Sequence, residues 1–231
     1  MTETSSKLSA TENGDACDEI LASIRSSLAA SVPFDAARKA HHPYSEPVFA
    51  ASQIPPPRER LIENFRTNLE SVGGICLIAS DETEATKAVA DVIKQTGSAR
   101  IANSDSEVVR RLVKSDAANE IFENASSDIL FHCDIGITSA QWAIAETGTL
   151  VLESEKESHR LTSLVPPVHL CILSASSIRQ TLGEILELSS RDLSRTITFI
   201  TGASRTSDIE LTLAIGVHGP KELYVIVIED Q

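Results

Sequence analysis

A chain of 231 residues with 42% apolar and 23% charged side chains can bury a substantial core and suits one large domain with an appendage. Its formal net charge of -13, with no basic run to offset it, excludes a nucleic-acid partner, which needs Lys and Arg to neutralise phosphates. No apolar run approaches the roughly 20 residues of a membrane-spanning helix. The polar, acidic start MTETSSKLSATENGD resembles neither a signal nor a transit peptide, so a cytoplasmic protein without membrane insertion is expected.

Residues 1–57 read as a disordered tail, one helix and a proline-containing linker. In the helix, Ile20, Leu21, Ile24 and Leu28 recur at helical spacing between about Asp15 and Ala30. This arm either packs on another subunit, giving a homo-oligomer, or lies along its own domain. Residues 58–231 read as an α/β domain. RERLIENFRTNLESVGG is a helix with Leu61, Ile62, Phe65 and Leu69 inward and Gly73 as its stop. The strand ICLIA (75–79) follows, then a helix with Asp81 and Glu84 as capping pair and Ala85, Val89, Val92 and Ile93 on one face. ARIA (99–102) is the next strand, and Ser104 with Glu107 is expected to cap the helix after it. This alternation implies a mostly parallel, Rossmann-like sheet flanked by helices.

The middle of the chain breaks the rhythm. ILFHC, IGIT, WAIAE and TLVLES follow one another too closely for crossover helices, so a short antiparallel, strand-rich insertion is expected there. After Pro166 and Pro167 the pattern resumes. VHLCIL is a strand, and Ser177 with Gln180 is expected to cap a helix carrying Ile178, Leu182, Ile185 and Leu186. TITFIT is the next strand, a short helix spans roughly Ser207–Ile215, and LYVIVIE closes the domain.

Two segments concentrate polar chemistry where apolar runs break, which is where open α/β sheets place ligand crevices. In TGASRTSDIE, Gly202 allows close ligand approach, Ser204 and Thr206 carry hydroxyls, and Arg205 offers a planar fork for a carboxylate or phosphate. A helix starting near Ser207 would add free amides, with Asp208 beside them. Equally, Ser207 is an N-cap and Asp208 answers the helix dipole. In AETGT, Glu146 stands beside Thr147, Gly148 and Thr149. It could act as base, nucleophile or ligand, or as a turn carboxylate accepting backbone amides. Arg160 is a second anion contact or a surface partner of Glu153, Glu155 or Glu157. His218, next to Gly219 in the GVHGP turn, is the histidine best placed to meet a ligand and move a proton, or equally to stabilise the turn.

The remaining histidines form no metal spacing. His132, Cys133 and Asp134 would alternate faces on a strand, and His169 reads as a structural hydrogen-bonding residue, so no metal site is expected. The cysteines, Cys17, Cys76, Cys133 and Cys171, lack CxxC spacing and read as buried free thiols in a reducing compartment. No iron–sulfur ligand pattern is present, so electrons would have to be carried by another chain or a bound cofactor.

Taken in order, AIAETGTLVLES, SHRLTSLVPPVHLCIL and TGASRTSDIELTLAIGVHGP resemble the LUD-domain family of lactate utilisation protein C (LutC), over roughly residues 58–229. The resemblance implies that residues 58–231 form a LUD domain with a fold like the coenzyme A transferase, ribose-phosphate isomerase and glucosamine-phosphate deaminase group. It implies oxidation of L-lactate to pyruvate beside cysteine-rich, iron–sulfur partner proteins that hold the clusters, with no cofactor in this chain. Coenzyme A transferases of that fold group use a glutamate beside a glycine, which Glu146-Thr147-Gly148 resembles with threonine in place of asparagine. Three functions therefore stand: a non-redox subunit of a lactate-oxidising complex, a free-standing transferase or isomerase using Glu146, and a non-enzymatic anion-binding sensor or assembly subunit.

Overall fold

Buried strands show where the core lies. Val168, Leu170 and Ile172 face one side of their strand and Cys171 and Leu173 the other, and all five are buried. A strand apolar on both faces belongs in the middle of a covered parallel sheet. The computed structural model describes residues 12–30, 56–114, 118–154, 160–189, 194–207, 213–215 and 219–229. The chain divides into two units, residues 1–51 and 52–231. In the first, α1 (Glu12–Ala30) leaves Ile20, Leu21 and Ile24 exposed.

In the second unit, six strands form a wholly parallel sheet: β1 (Ile75–Ala79), β2 (Arg100–Asn103), β3 (Glu120–Glu123), β4 (Ile135–Ser139), β7 (Val168–Ser174) and β12 (Glu222–Ile228). Their spatial order is β1-β12-β7-β4-β2-β3. One face is covered by α3 (Glu82–Gln95) and α4 (Glu107–Leu112), which bury Val89, Val92, Val109 and Leu112 against Ile101, Ile137, Leu170 and Ile226. On the other face, α2 (Arg58–Ser71) inserts Ile62, Phe65 and Leu69. Beside α2 lies a four-stranded sheet, β8-β5-β6-β9, made of β5 (Trp142–Ile144), β6 (Thr149–Glu153), β8 (Ile178–Arg179) and β9 (Ile197–Ile200). Ile185 of α6 (Leu182–Ser189) packs with Ile144 and Val151. No helix among the described residues is long and apolar enough to cross a membrane.

The helices end and begin as their sequences require, with exceptions. Gly73, at φ +86°, closes α2: its N–H reaches Glu70 O and that of Gly74 reaches Leu69 O, the paired bonds of a left-handed helix stop. Asp81 caps α3 through Glu84 N–H, while the Glu84 carboxylate accepts from Ser80 N–H and hydroxyl. Ser104 is not a cap, because α4 starts two residues later behind Ser106. The segment expected as the strand ILFHC instead holds the single helical turn α5 (Ser127–Leu130), and Cys133 Sγ bonds back to Ile129 O. Apolar residues at 129, 130 and 133 fit a helical turn as well as a strand, and β3, which follows from no apolar run, occupies the sheet edge. Ile178 lies in β8, not in a helix. The helix begins at Leu182, where Thr181 and Glu184 bond reciprocally (Glu184 N–H to Thr181 Oγ1, Thr181 N–H to Glu184 Oε1). TITFIT is a strand, but it pairs antiparallel with β6 in the smaller sheet.

The largest departure concerns Ser207–Ile215. In place of a helix, β10 (Arg205–Ser207) pairs antiparallel with β11 (Leu213–Ile215). The β-branched residues Thr206 and Ile215 suit a strand pair, and short apolar runs do not discriminate helix from strand.

Candidate functional site

The two polar segments meet, and α2 is what they meet on. Thr149 Oγ1 lies 2.7 Å from Thr201 Oγ1 and, on its other side, Thr147 Oγ1 lies 2.7 Å from Thr149 Oγ1, forming a chain of three hydroxyls. Gly148, at φ +64°, presses on the helix so closely that a Cβ there would lie 2.2 Å from Leu69 N. Gly202, at φ +85°, is as tight, its Cβ position being 2.6 Å from Val72 O. Both positions require glycine for two reasons, left-handed backbone and contact with a helix backbone. Asn68 Nδ2 completes the junction by donating to Ala145 O at 2.8 Å.

The third segment joins from the opposite side. Ser204 N–H donates to Pro220 O at 2.9 Å, and Lys221 N–H to Pro167 O at 2.8 Å. A Cβ on Gly219 would lie 3.0 Å from Ser204 Oγ and 3.9 Å from Leu164 O. The loops 160–167, 201–205 and 219–221 are thus tied together just before β7 and β12 begin. This is the amino edge of the parallel sheet, opposite to the edge where crevices in such sheets usually open.

Arg205 is exposed and its Nη2 donates to Val72 O, the C-terminal cap carbonyl of α2, at 2.8 Å. A guanidinium there complements the negative helix end, with further N–H donors on the same fork to offer a carboxylate or phosphate. Arg205–Ser207 form the strand β10, so among the described residues Arg205 and the loop hydroxyls are the groups that could hold an anion there. Arg160 is exposed at the start of a 3-10 turn (Arg160–Ser163). Glu153 is not its partner: that carboxylate is buried and takes Trp142 Nε1, Ser189 Oγ and Ser194 Oγ. Thr206 pairs with Ala214 in the hairpin. Glu155, Glu157, Asp208 and His218 lie outside the described residues.

Glu146 is exposed, and its Oε1 accepts the Leu182 N–H at 3.2 Å, at the start of α6. Its backbone N–H bonds Gln180 O. Here the carboxylate serves as a helix-start acceptor. His132, Cys133 and Asp134 diverge: the histidine Nδ1 meets Asp128 O, and the aspartate accepts from Ala99 and Arg100 N–H. His132 lies in a turn rather than a strand. Among the described residues no group of three His, Cys, Asp or Glu could hold a metal ion.

Below the 160–163 turn lies His169, which reads from the sequence as a structural hydrogen-bonding residue at the strand entrance. His169 is buried on β7; its Nε2 is 2.8 Å from Thr138 Oγ1 and its Nδ1 has no partner. Burial pushes it down to about 3, so the ring is neutral. Gly136 makes room for the turn, since a Cβ there would lie 1.9 Å from Thr162 O. Thr138, Asn68 and the Val72 carbonyl carry no local signal in the sequence. They enter the junction because distant elements fold onto it.

The fold and this junction define an α/β protein whose parallel sheet carries a second, smaller sheet against its α2 face. The chain belongs to the LUD domain family, whose model matches residues 62–228. A lactate utilization protein C of Deinococcus radiodurans is 39% identical over 102 residues, 43% of this chain and 48% of that protein. One from an Exiguobacterium species is 28% identical over 203 residues, 82% of this chain and 85% of that protein. The chain spans about half the length of the curated relatives it matches at the higher identities. A crystal structure of a DUF162 family protein from Deinococcus radiodurans has the same fold, with TM-score 0.60 at 24% identity, covering 75% of this chain and 99% of that one.

Proposed function

We propose that this chain is the LutC-type subunit of a cytoplasmic system oxidising L-lactate to pyruvate with iron–sulfur partner proteins, and that it binds a small carboxylate while its partners carry the electrons. The observation that carries this reading is LUD-family membership with lactate utilization protein C relatives, one aligned along most of the chain. The exposed Arg205 fork, tied to the convergence of three loops, supplies the carboxylate contact. Burial raises the Cys76 thiol to about 12 and also pushes Cys133 up, which favours the protonated thiols of a core over the thiolates of a cluster. Glu146 as a transferase nucleophile would first have to leave the Leu182 amide, and no observation favours that reading.

Deletion of the gene abolishes growth on L-lactate as sole carbon source, and a plasmid copy restores it; unimpaired growth with no second copy would sink the proposal. On the purified protein, Arg205→Ala weakens calorimetric binding of lactate or pyruvate by about 1.5–3 kcal/mol, the worth of a charged hydrogen bond. Unchanged affinity would remove Arg205 from the site.

A further inference from the structure

The two outer strands of the main sheet are finished differently. At one side, β3 carries Glu120 and Glu123, ion-paired to Arg100 and Arg110, and charged side chains keep an edge strand from pairing with another chain. At the other side, β1 reads ICLIA, with no charge, proline or glycine, and among the described residues it pairs only with β12. The Glu229 N–H reaches Ala79 O, so Ala79, Leu77 and Ile75 turn their backbone groups inward to β12. The alternate residues Cys76 and Ile78 therefore point their N–H and C=O groups outward, with no partner among the described residues. Leu77 and Ala79 pack on the α3 face of the sheet and Cys76 on the α2 face. Ile75 and Ile78, one on each face, stay 41% and 38% exposed, while Cys76 and Ala79 are buried.

We propose that β1 is a dimerisation edge, on which a second copy of this chain pairs its own β1 antiparallel across a two-fold axis at Leu77. The free backbone groups set that register. Cys76 comes opposite Ile78 of the second copy, and each such pair exchanges both N–H···O=C bonds. The same register matches side chains by size: each exposed Ile78 lies opposite a small, buried Cys76, and each exposed Ile75 opposite Ala79. A slip of two residues would set Cys76 against Cys76 or Ile78 against Ile78 and lose the match. A surface complementary to itself across a two-fold axis is what an isologous dimer requires, which is why the occupant is a second copy. Charge does not oppose the contact, despite the acidic chain. Burial dominates the Cys76 thiol, but Arg66 and Glu70 of α2 also act on it, so this ion pair stands beside the open edge. It is neutral overall and offers its own copy both signs of charge.

Sedimentation velocity of the full chain over a concentration series tests this. A reversible dimer is expected, and hydrogen exchange at the Cys76 and Ile78 amides slows as the dimer fills. Ile78→Lys sets an ammonium opposite the buried Cys76 of the second copy and raises the dissociation constant by about tenfold or more. Ile75→Lys does the same from the other face. Both positions are partly exposed in the single chain, and a far-UV circular dichroism spectrum like the parent's shows that each variant folds. Should neither fold, the concentration dependence of exchange at Cys76 and Ile78 in the parent decides the matter. Ile24→Lys in α1 and Phe131→Lys, at the exposed turn after α5, leave the dimer intact. A monomer at every concentration would overturn the proposal, since the edge would then be covered by another segment of the chain or by a different protein. So would a dimer that survives both lysine substitutions in β1, or one that dissolves with Ile24→Lys, which would put the contact on the N-terminal helix.

Discussion

His169 shows how one buried side chain makes the whole domain sensitive to acid. In the folded chain its pKa is pushed down to about 3 by burial, from an ordinary value of 6.5. Between those values the unfolded chain binds a proton that the folded chain refuses. Stability from this residue is therefore complete above 6.5 and falls as pH drops towards 3, by up to about 1.4 kcal/mol per pH unit. Urea midpoints measured from pH 7 to pH 4 are expected to fall in this way and to flatten in His169→Gln; a variant as acid-sensitive as the parent would refute the assignment. Gly148 is the other residue whose effect follows from position alone. Gly148→Ala forces a left-handed backbone on alanine and drives its methyl into the Leu69 amide. A loss of about 3 kcal/mol or more is expected in urea unfolding, combining backbone strain with overpacking. A loss below 1 kcal/mol, on the order of an ordinary surface change, would mean that the turn can move off α2.

At the scale of elements, what was legible depended on whether the signal was local. The Gly73 stop, the Asp81 cap and the two-faced apolar strands are written in neighbouring residues, and they formed as read. So did the β5–β6 hairpin, with Thr149 opposite Ile144. Short apolar runs were ambiguous: Ile178–Arg179 and Leu213–Ile215 read as helix but pair as strands, and Ile129–Leu130 did the reverse. In each case a partner strand or a packing face elsewhere decided the outcome, as tertiary context overrides weak propensity. The small polar residues of the candidate site were visible, whereas their meeting on α2 was not, because Leu69 and Val72 lie far from Gly148 and Gly202 in sequence. Cap chemistry was misplaced by a few residues where two Ser/Thr candidates competed. The reciprocal Thr181–Glu184 pair makes that choice testable. Thr181→Ala is expected to cost about 1 kcal/mol in thermal or urea unfolding. Ser177→Ala, outside the helix start, is expected to cost less; the reverse order would contradict the observed helix start.

For the whole molecule, the sheet divides the core into faces of unequal depth, and the cysteines sample them. Cys171 is fully buried on the central strand β7, in the large cluster shared by α2, the main sheet and the small sheet. Cys133 sits in a small cluster with Ala102, Ala125 and Leu130, next to the half-exposed edge strand β3. Opening of an edge element needs less free energy than opening the centre of the sheet, where every strand must separate. Burial holds both Cys76 and Cys133 as protonated thiols, so alkylation at neutral pH reports opening rather than intrinsic reactivity. In Cys17→Ser protein labelled with iodoacetamide and read by mass spectrometry, Cys133 is therefore expected to react first, under mildly destabilising urea. Cys171 is expected to react only along the global unfolding transition. Equal labelling of the two at all urea concentrations would mean that the β3 edge and the central strands unfold as one unit, and the division into a firm centre and a looser edge would fall.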